Sequence, residues 1–145
     1  MGPRLHVITL AVDDLERALV FYRDGLGLRT NGIVAADLVD EMTGAAGAIV
    51  IFDLDHGLIL SLYPRAELAK DAAVPTAAPQ SGEFSLGQLV GSRAEVDSIL
   101  EQAAAAGAMV TPPHDRPWGI YSGYFRDPDG HLWEIICNPG RRSEQ

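Results

Sequence analysis

The sequence predicts an α+β fold of two βαβββ modules, with the helices outside the sheet. A short aliphatic strand and a capped amphipathic helix stand near the N-terminus, and the same order of elements returns in the second half. The ends of the two halves also match. Phe52-Asp53-Leu54-Asp55-His56-Gly57 precedes Leu58–Pro64 much as Phe125-Arg126-Asp127-Pro128-Asp129-Gly130 precedes His131–Pro139. Such self-similarity constrains the architecture before any single element does.

In order along the chain, Leu5 to Val12 is β-branched and aliphatic and reads as a strand. Asp13-Asp14-Leu15-Glu16 has capping-box spacing, with Asp13 as N-cap and Glu16 reaching back. Leu15, Ala18, Leu19 and Tyr22 then share one helical face, and Gly25 supplies the left-handed stop. Residues 28–35 form a further strand, and residues 36–47 an irregular polar stretch. Ala48–Leu54 and Leu58–Tyr63 are strands joined by the turn Asp55-His56-Gly57. Proline and alanine dominate 64–82, a linker with one helical turn near Ala66–Ala72. The second module repeats the pattern. Phe84–Val90 is a strand, Ser92-Arg93-Ala94-Glu95 a capping box, and Val96, Ile99, Leu100 and Ala103 a helical face ended by Gly107. Ala108–Thr111, Tyr121–Arg126 and His131–Cys137 are the remaining strands, with a turn at Asp127-Pro128-Asp129-Gly130.

The 145 residues make one domain, 1–145, with a first module at 4–64, a linker at 65–82 and a second module at 83–139. The formal charge of -9 argues against nucleic acid or an anionic membrane as partner, since both select basic patches. The lone Cys137 excludes a disulfide within the chain and fits a reducing, cytoplasmic setting. Residues 5–12 are too short an apolar run for a signal peptide or a membrane span.

Two stretches carry a resemblance. The run Leu10 to Leu28, with Asp14-Leu15-Glu16-Arg17, Phe21-Tyr22 and Gly25-Leu26-Gly27-Leu28, is similar to the first strand and helix of glyoxalase-like proteins. Tyr124 to Ile135 resembles their Asp-Pro-Asp-Gly turn, which feeds a strand with Glu134 four residues beyond the glycine. The chain is thus identified as resembling the vicinal-oxygen-chelate superfamily of glyoxalases, bleomycin-resistance proteins and extradiol dioxygenases. The resemblance implies that the modules form a cup-shaped mixed sheet holding a small molecule. In enzymatic members it also implies a divalent metal on His, Gln or Glu side chains, from the first and fourth strands of each module, acting as a Lewis acid. One fold hosts many chemistries, so the activity must be argued from residues.

Carried over position by position, the ligand set is largely missing. The four positions hold Val7, Ser61, Ser85 and Glu134, and only Glu134 is a fit ligand. His6 and Gln88 are donors nearby but of the wrong strand parity, and they serve only if the register is off by one. A single carboxylate does not hold a divalent ion where about three protein ligands are usual. No metal or other cofactor is therefore expected, a divalent metal on His6, Gln88 and Glu134 being the alternative.

Glu134 lies in the apolar strand Leu132-Trp133-Glu134-Ile135-Ile136. It is either a ligand-facing acceptor or general base, or a carboxylate paired locally with Arg126 or a tyrosine. Pro117 to Tyr124 is aromatic and glycine-rich, which suits a pocket wall, and Trp118, Tyr121 and Tyr124 are its candidates. Alternation puts Tyr124 and Ser122 on one side of their strand and Tyr121 on the other. Thr9, Ser61 and Gln88 complete the candidate ligand-binding residues. Three functions follow: a metal-independent binder of a small organic molecule, a metal-dependent lyase, isomerase or dioxygenase, and a metal-free enzyme with Glu134 as base. The resemblance also implies a homodimer.

Overall fold

The computed structural model describes residues 1–79 and 81–141. The chain divides into two compact units with the boundary after Pro79. Each carries its own mixed sheet with helices beside it, giving the predicted α+β class.

In the first unit the strands are β1 (Val7–Val12), β2 (Thr30–Val34), β3 (Ile49–Asp53) and β4 (Ile59–Pro64), ordered β1-β4-β3-β2. β1 runs parallel to β4, and the other pairs are antiparallel. One face is core: Leu10, Val12, Val50, Phe52, Leu60 and Leu62 are each 2% exposed or less. The alternate residues Val7, Thr9 and Ile51 are exposed. β2, at the sheet edge, breaks register with β3 between Thr30 and Ile33, where Gly32 takes φ +82.

The first helix corrects two expectations. α1 (Leu15–Leu19) is capped by Asp14, whose side chain accepts from Arg17 N, not by Asp13. Asp13 is instead held by Arg65 at 2.8 Å. The helix then widens into a π-helix over Val20–Gly25, closed by Leu26 N donating to Phe21 O. The extra residue per turn moves the left-handed stop from Gly25 to Gly27, at φ +78. The widened segment turns Phe21 and Tyr22 into the core, where Tyr22 meets Phe52 at a ring separation of 6.0 Å.

Residues 65–82 begin with α2 (Arg65–Ala72), a longer helix than the single turn expected. Its alanine-rich sequence favours the helix, and Ala73 ends it in a left-handed conformation at φ +54. Glu67 on α2 accepts from Ala46 N at 2.6 Å, while the Tyr63 hydroxyl donates to Ala46 O. Together they fasten the irregular segment that precedes β3.

In the second unit the strands are β5 (Leu86–Leu89), β6 (Met109–Val110), β7 (His114–Asp115), β8 (Tyr121–Arg126) and β9 (Leu132–Cys137). Their order is β5-β9-β8-β6, with β7 also on β8. α3 (Arg93–Ala105) starts at Ser92, which accepts from Glu95 N as its capping box requires, and Gly107 closes it at φ +103. α3 packs on the face of Phe125 and Ile135, both 2% exposed or less. β7 is an element the sequence did not reveal, being too short to show a period.

The two sheets repeat at the level of register. Thr9, Ser61 and Ile51 lie side by side across β1, β4 and β3. Gly87, Glu134 and Tyr124 occupy the matching places across β5, β9 and β8.

Candidate functional site

Arg116, Ser122, Tyr124 and Glu134 of the second unit gather on the sheet face turned away from α3. Tyr124 and Glu134 are register partners on β8 and β9, so their side chains share a side. Ser122 is two residues before Tyr124 and follows it to the same side. Its hydroxyl donates to Glu134 Oε2 at 2.8 Å and accepts from Arg116 Nε at 2.5 Å. Arg116 enters from the loop after β7, and its guanidinium carbon lies 5.7 Å from the centre of the Tyr124 ring.

Ser122 is wholly buried, while Arg116, Tyr124 and Glu134 are half-buried. The setting alters Tyr124. Burial first, then the negative charge of Glu134 and hydrogen bonding to it, hold the phenol above its ordinary pKa, and Arg116 works in the opposite sense. Cation, hydroxyl, carboxylate and phenol therefore form one coupled group.

A cavity of about 520 Å³ adjoins it, with Tyr124 in its wall. Phe84, Met109, Val110 and Leu132 make its lining largely apolar, and Arg126, Thr111 and Glu83 add polar groups. The volume lies in the range of sites for small organic molecules. Arg126 does not pair with Glu134; its Nη1 donates to Ser81 O and Gly130 O and so fastens the Asp-Pro-Asp-Gly turn. Of the local partners considered for Glu134, the tyrosine is the one beside it.

The other candidates are distributed differently. Tyr121 faces α3, where its hydroxyl donates to Asp97 and Arg93 stacks 4.0 Å above its ring. Gln88 is the register partner of Ile135 and so is on the α3 side, opposite to Glu134. The register shift that would join Gln88 to Glu134 is not present. Trp118 is 90% exposed at φ +64 in a turn and does not line the cavity. In the first unit, Thr9 and Ser61 are register partners; Thr9 is exposed and Ser61 buried. His6 precedes β1 and is exposed, with its carbonyl accepting from Ile59 N. Sequence reading missed Arg116. It also left Ser122 out of the site, although alternation with Tyr124 was signal enough to include it.

The donor set does not suit a divalent metal. Beside Glu134 stand the backbone of Gly87, the hydroxyl of Ser122 and the phenol of Tyr124. His114, paired with Ser122, adds one imidazole to that side. Among the described residues no three His, Cys, Asp or Glu side chains converge as a ligand group. Among the same residues no helix is long and apolar enough to cross a membrane.

Comparison with known proteins agrees with the fold. The model of the Glyoxalase/Bleomycin resistance protein/Dioxygenase superfamily matches residues 4–135. An uncharacterized protein of Pseudomonas aeruginosa is 29% identical, with 93% of this chain and 89% of that protein covered. A glyoxalase-related enzyme from Fulvimarina pelagi is similar at TM-score 0.77 and 29% identity, covering 95% of this chain and 90% of that one. A lactoylglutathione lyase from Agrobacterium tumefaciens is similar at TM-score 0.63 and 29% identity, covering 94% of each.

Proposed function

The chain belongs to the Glyoxalase/Bleomycin resistance protein/Dioxygenase superfamily, and from that premise we propose that it binds a small organic molecule against the polar face of its second sheet. The observation that carries this reading is Tyr124, which stands in the wall of a largely apolar cavity and beside the relay Arg116–Ser122–Glu134. Apolar lining supplies affinity and a few fixed polar groups supply orientation. Glu134, the one position that fits the superfamily's ligand pattern, is engaged by a serine hydroxyl. Binding is therefore read as independent of a full metal-ligand set.

Native mass spectrometry of the purified protein, with elemental analysis alongside, tests this. A co-purifying organic molecule without stoichiometric metal is the expected result. One transition-metal ion per chain, lost in Glu134→Gln, would favour the metal-dependent lyase, isomerase or dioxygenase instead. If Glu134 is a base, an exchangeable C–H of the bound molecule loses deuterium in the wild type but not in Glu134→Gln. The same reading takes the protein to be a cytoplasmic homodimer, and light scattering measures the assembly.

A further inference from the structure

Resting on that binding reading, we infer that the molecule is a small organic anion and that Arg116 is the group that receives its charge. The arginines differ in how their charge is met. Arg23, Arg65 and Arg93 each pair with an aspartate, namely Asp24, Asp13 and Asp115. Arg116 is half-buried and has no carboxylate in ion-pair contact among the described residues. Among the described residues only its Nε is hydrogen-bonded, to Ser122, so toward those residues the two Nη groups keep their donors.

A guanidinium partly withdrawn from water is poorly placed without an acceptor. Its planar fork offers two parallel N–H donors matched to the two oxygens of a carboxylate or a similar oxyanion. Ser122 fixes the fork from its Nε side. The guanidinium carbon lies 5.7 Å from the centre of the Tyr124 ring, and that ring forms part of the cavity wall, so Tyr124 links the cation to an apolar cavity that Arg116 itself does not line. A molecule with an apolar body and one negative end matches both. Glu134 does not supply the missing counter-charge directly, because Ser122 stands between it and Arg116.

The probe is acetate, with acetamide as its neutral isostere and phenol as a neutral test of the cavity. Binding is followed by NMR through the Arg116 Nε–H and the amides of residues 121–126 and 132–137. Acetate should give saturable shifts there and acetamide should not. Arg116→Met should weaken acetate by about tenfold or more, the scale of one charge-assisted contact. Arg116→Lys, which keeps the charge without the fork, should fall between the two. Glu134→Gln should tighten acetate binding, since a like charge is removed. Unchanged α3 amides certify the fold of each variant. The inference is overturned if acetamide matches acetate, if acetate shows no saturation, or if Arg126→Met rather than Arg116→Met abolishes it. Phenol separates the failures: shifts with phenol but not acetate leave the binding face and remove the anion, whereas no response to either removes both.

Discussion

Ser122 Oγ lies 2.8 Å from Glu134 Oε2 although the two are not register partners. Glu134 is opposite Tyr124, and Ser122 is opposite Ile136, so the bond is a diagonal across β8 and β9. With Ser122 wholly buried, its hydroxyl joins two charged groups that otherwise lose a partner each. We expect Ser122→Ala to cost about 1–3 kcal/mol of stability, the penalty for buried polar groups left unmet. A lower denaturant midpoint at unchanged slope is the readout, and an unchanged midpoint would contradict it.

Tyr124 reports the charges around it. Glu134 raises its pKa and Arg116 lowers it. Absorbance titration, with Tyr124→Phe used to assign the transition, should show it falling in Glu134→Gln and rising in Arg116→Met. The folded phenol titrates above its ordinary value, so its contribution to stability is full below that value and is lost as pH rises through the folded pKa. Alkaline unfolding should therefore show a smaller Tyr124 contribution in Glu134→Gln. Equal transitions in all three proteins would mean that the group is not coupled.

On the other side of the same strand the constraint is steric. A Cβ at Gly123 would stand 2.6 Å from Leu100 Cδ1 and 3.1 Å from Pro113 Cα, whereas one at Gly87 meets only Ile136 Cδ1 at 3.5 Å. Gly123→Ala should cost about 1–3 kcal/mol as α3 is displaced from the sheet. Gly87→Ala should stay within about 0.5 kcal/mol of wild type. Thermal denaturation of the pair decides this, and equal effects would refute the packing argument.

Glu67 makes a fourth test, in the first unit. The amide of Ala46, and then Lys70, hold its carboxyl below the usual range. A depressed folded pKa means that the contribution is present above the unfolded value and lost as pH falls through the folded one. The Ala46 amide shift should titrate with Glu67 in acid, and Glu67→Gln should remove that titration. An Ala46 shift insensitive to acid would show that this tether is absent in solution.

Much of this was legible because local rules agreed with one another. Ser92 and Glu95 stood at capping-box spacing, and β8 was bounded as predicted by an aromatic run and the Asp-Pro-Asp-Gly turn. Where two residues could play one part, spacing did not decide. Capping-box spacing pointed to Asp13, but Asp14 caps the helix and Asp13 is held by Arg65, a residue far along the chain. The spacing pointed to Gly25 as the stop, but a π-turn, which leaves no mark in an apolar pattern, carries the helix on to Gly27. Within the site, alternation grouped Tyr124 with Ser122 and separated Tyr121. Arg116 was out of reach because it arrives through β7, whose two residues carry no period.

The break in register between Thr30 and Ile33 has a bearing beyond the fold of one molecule. A straight outermost strand offers neighbouring chains a row of unanswered amides and carbonyls, and fibrils grow by accepting such offers. With Gly32 at positive φ and the Thr30 hydroxyl donating to Ile51 O, β2 presents a bent margin instead. An acidic protein with several valines in the open is thereby less prone to stack edge to edge at high concentration.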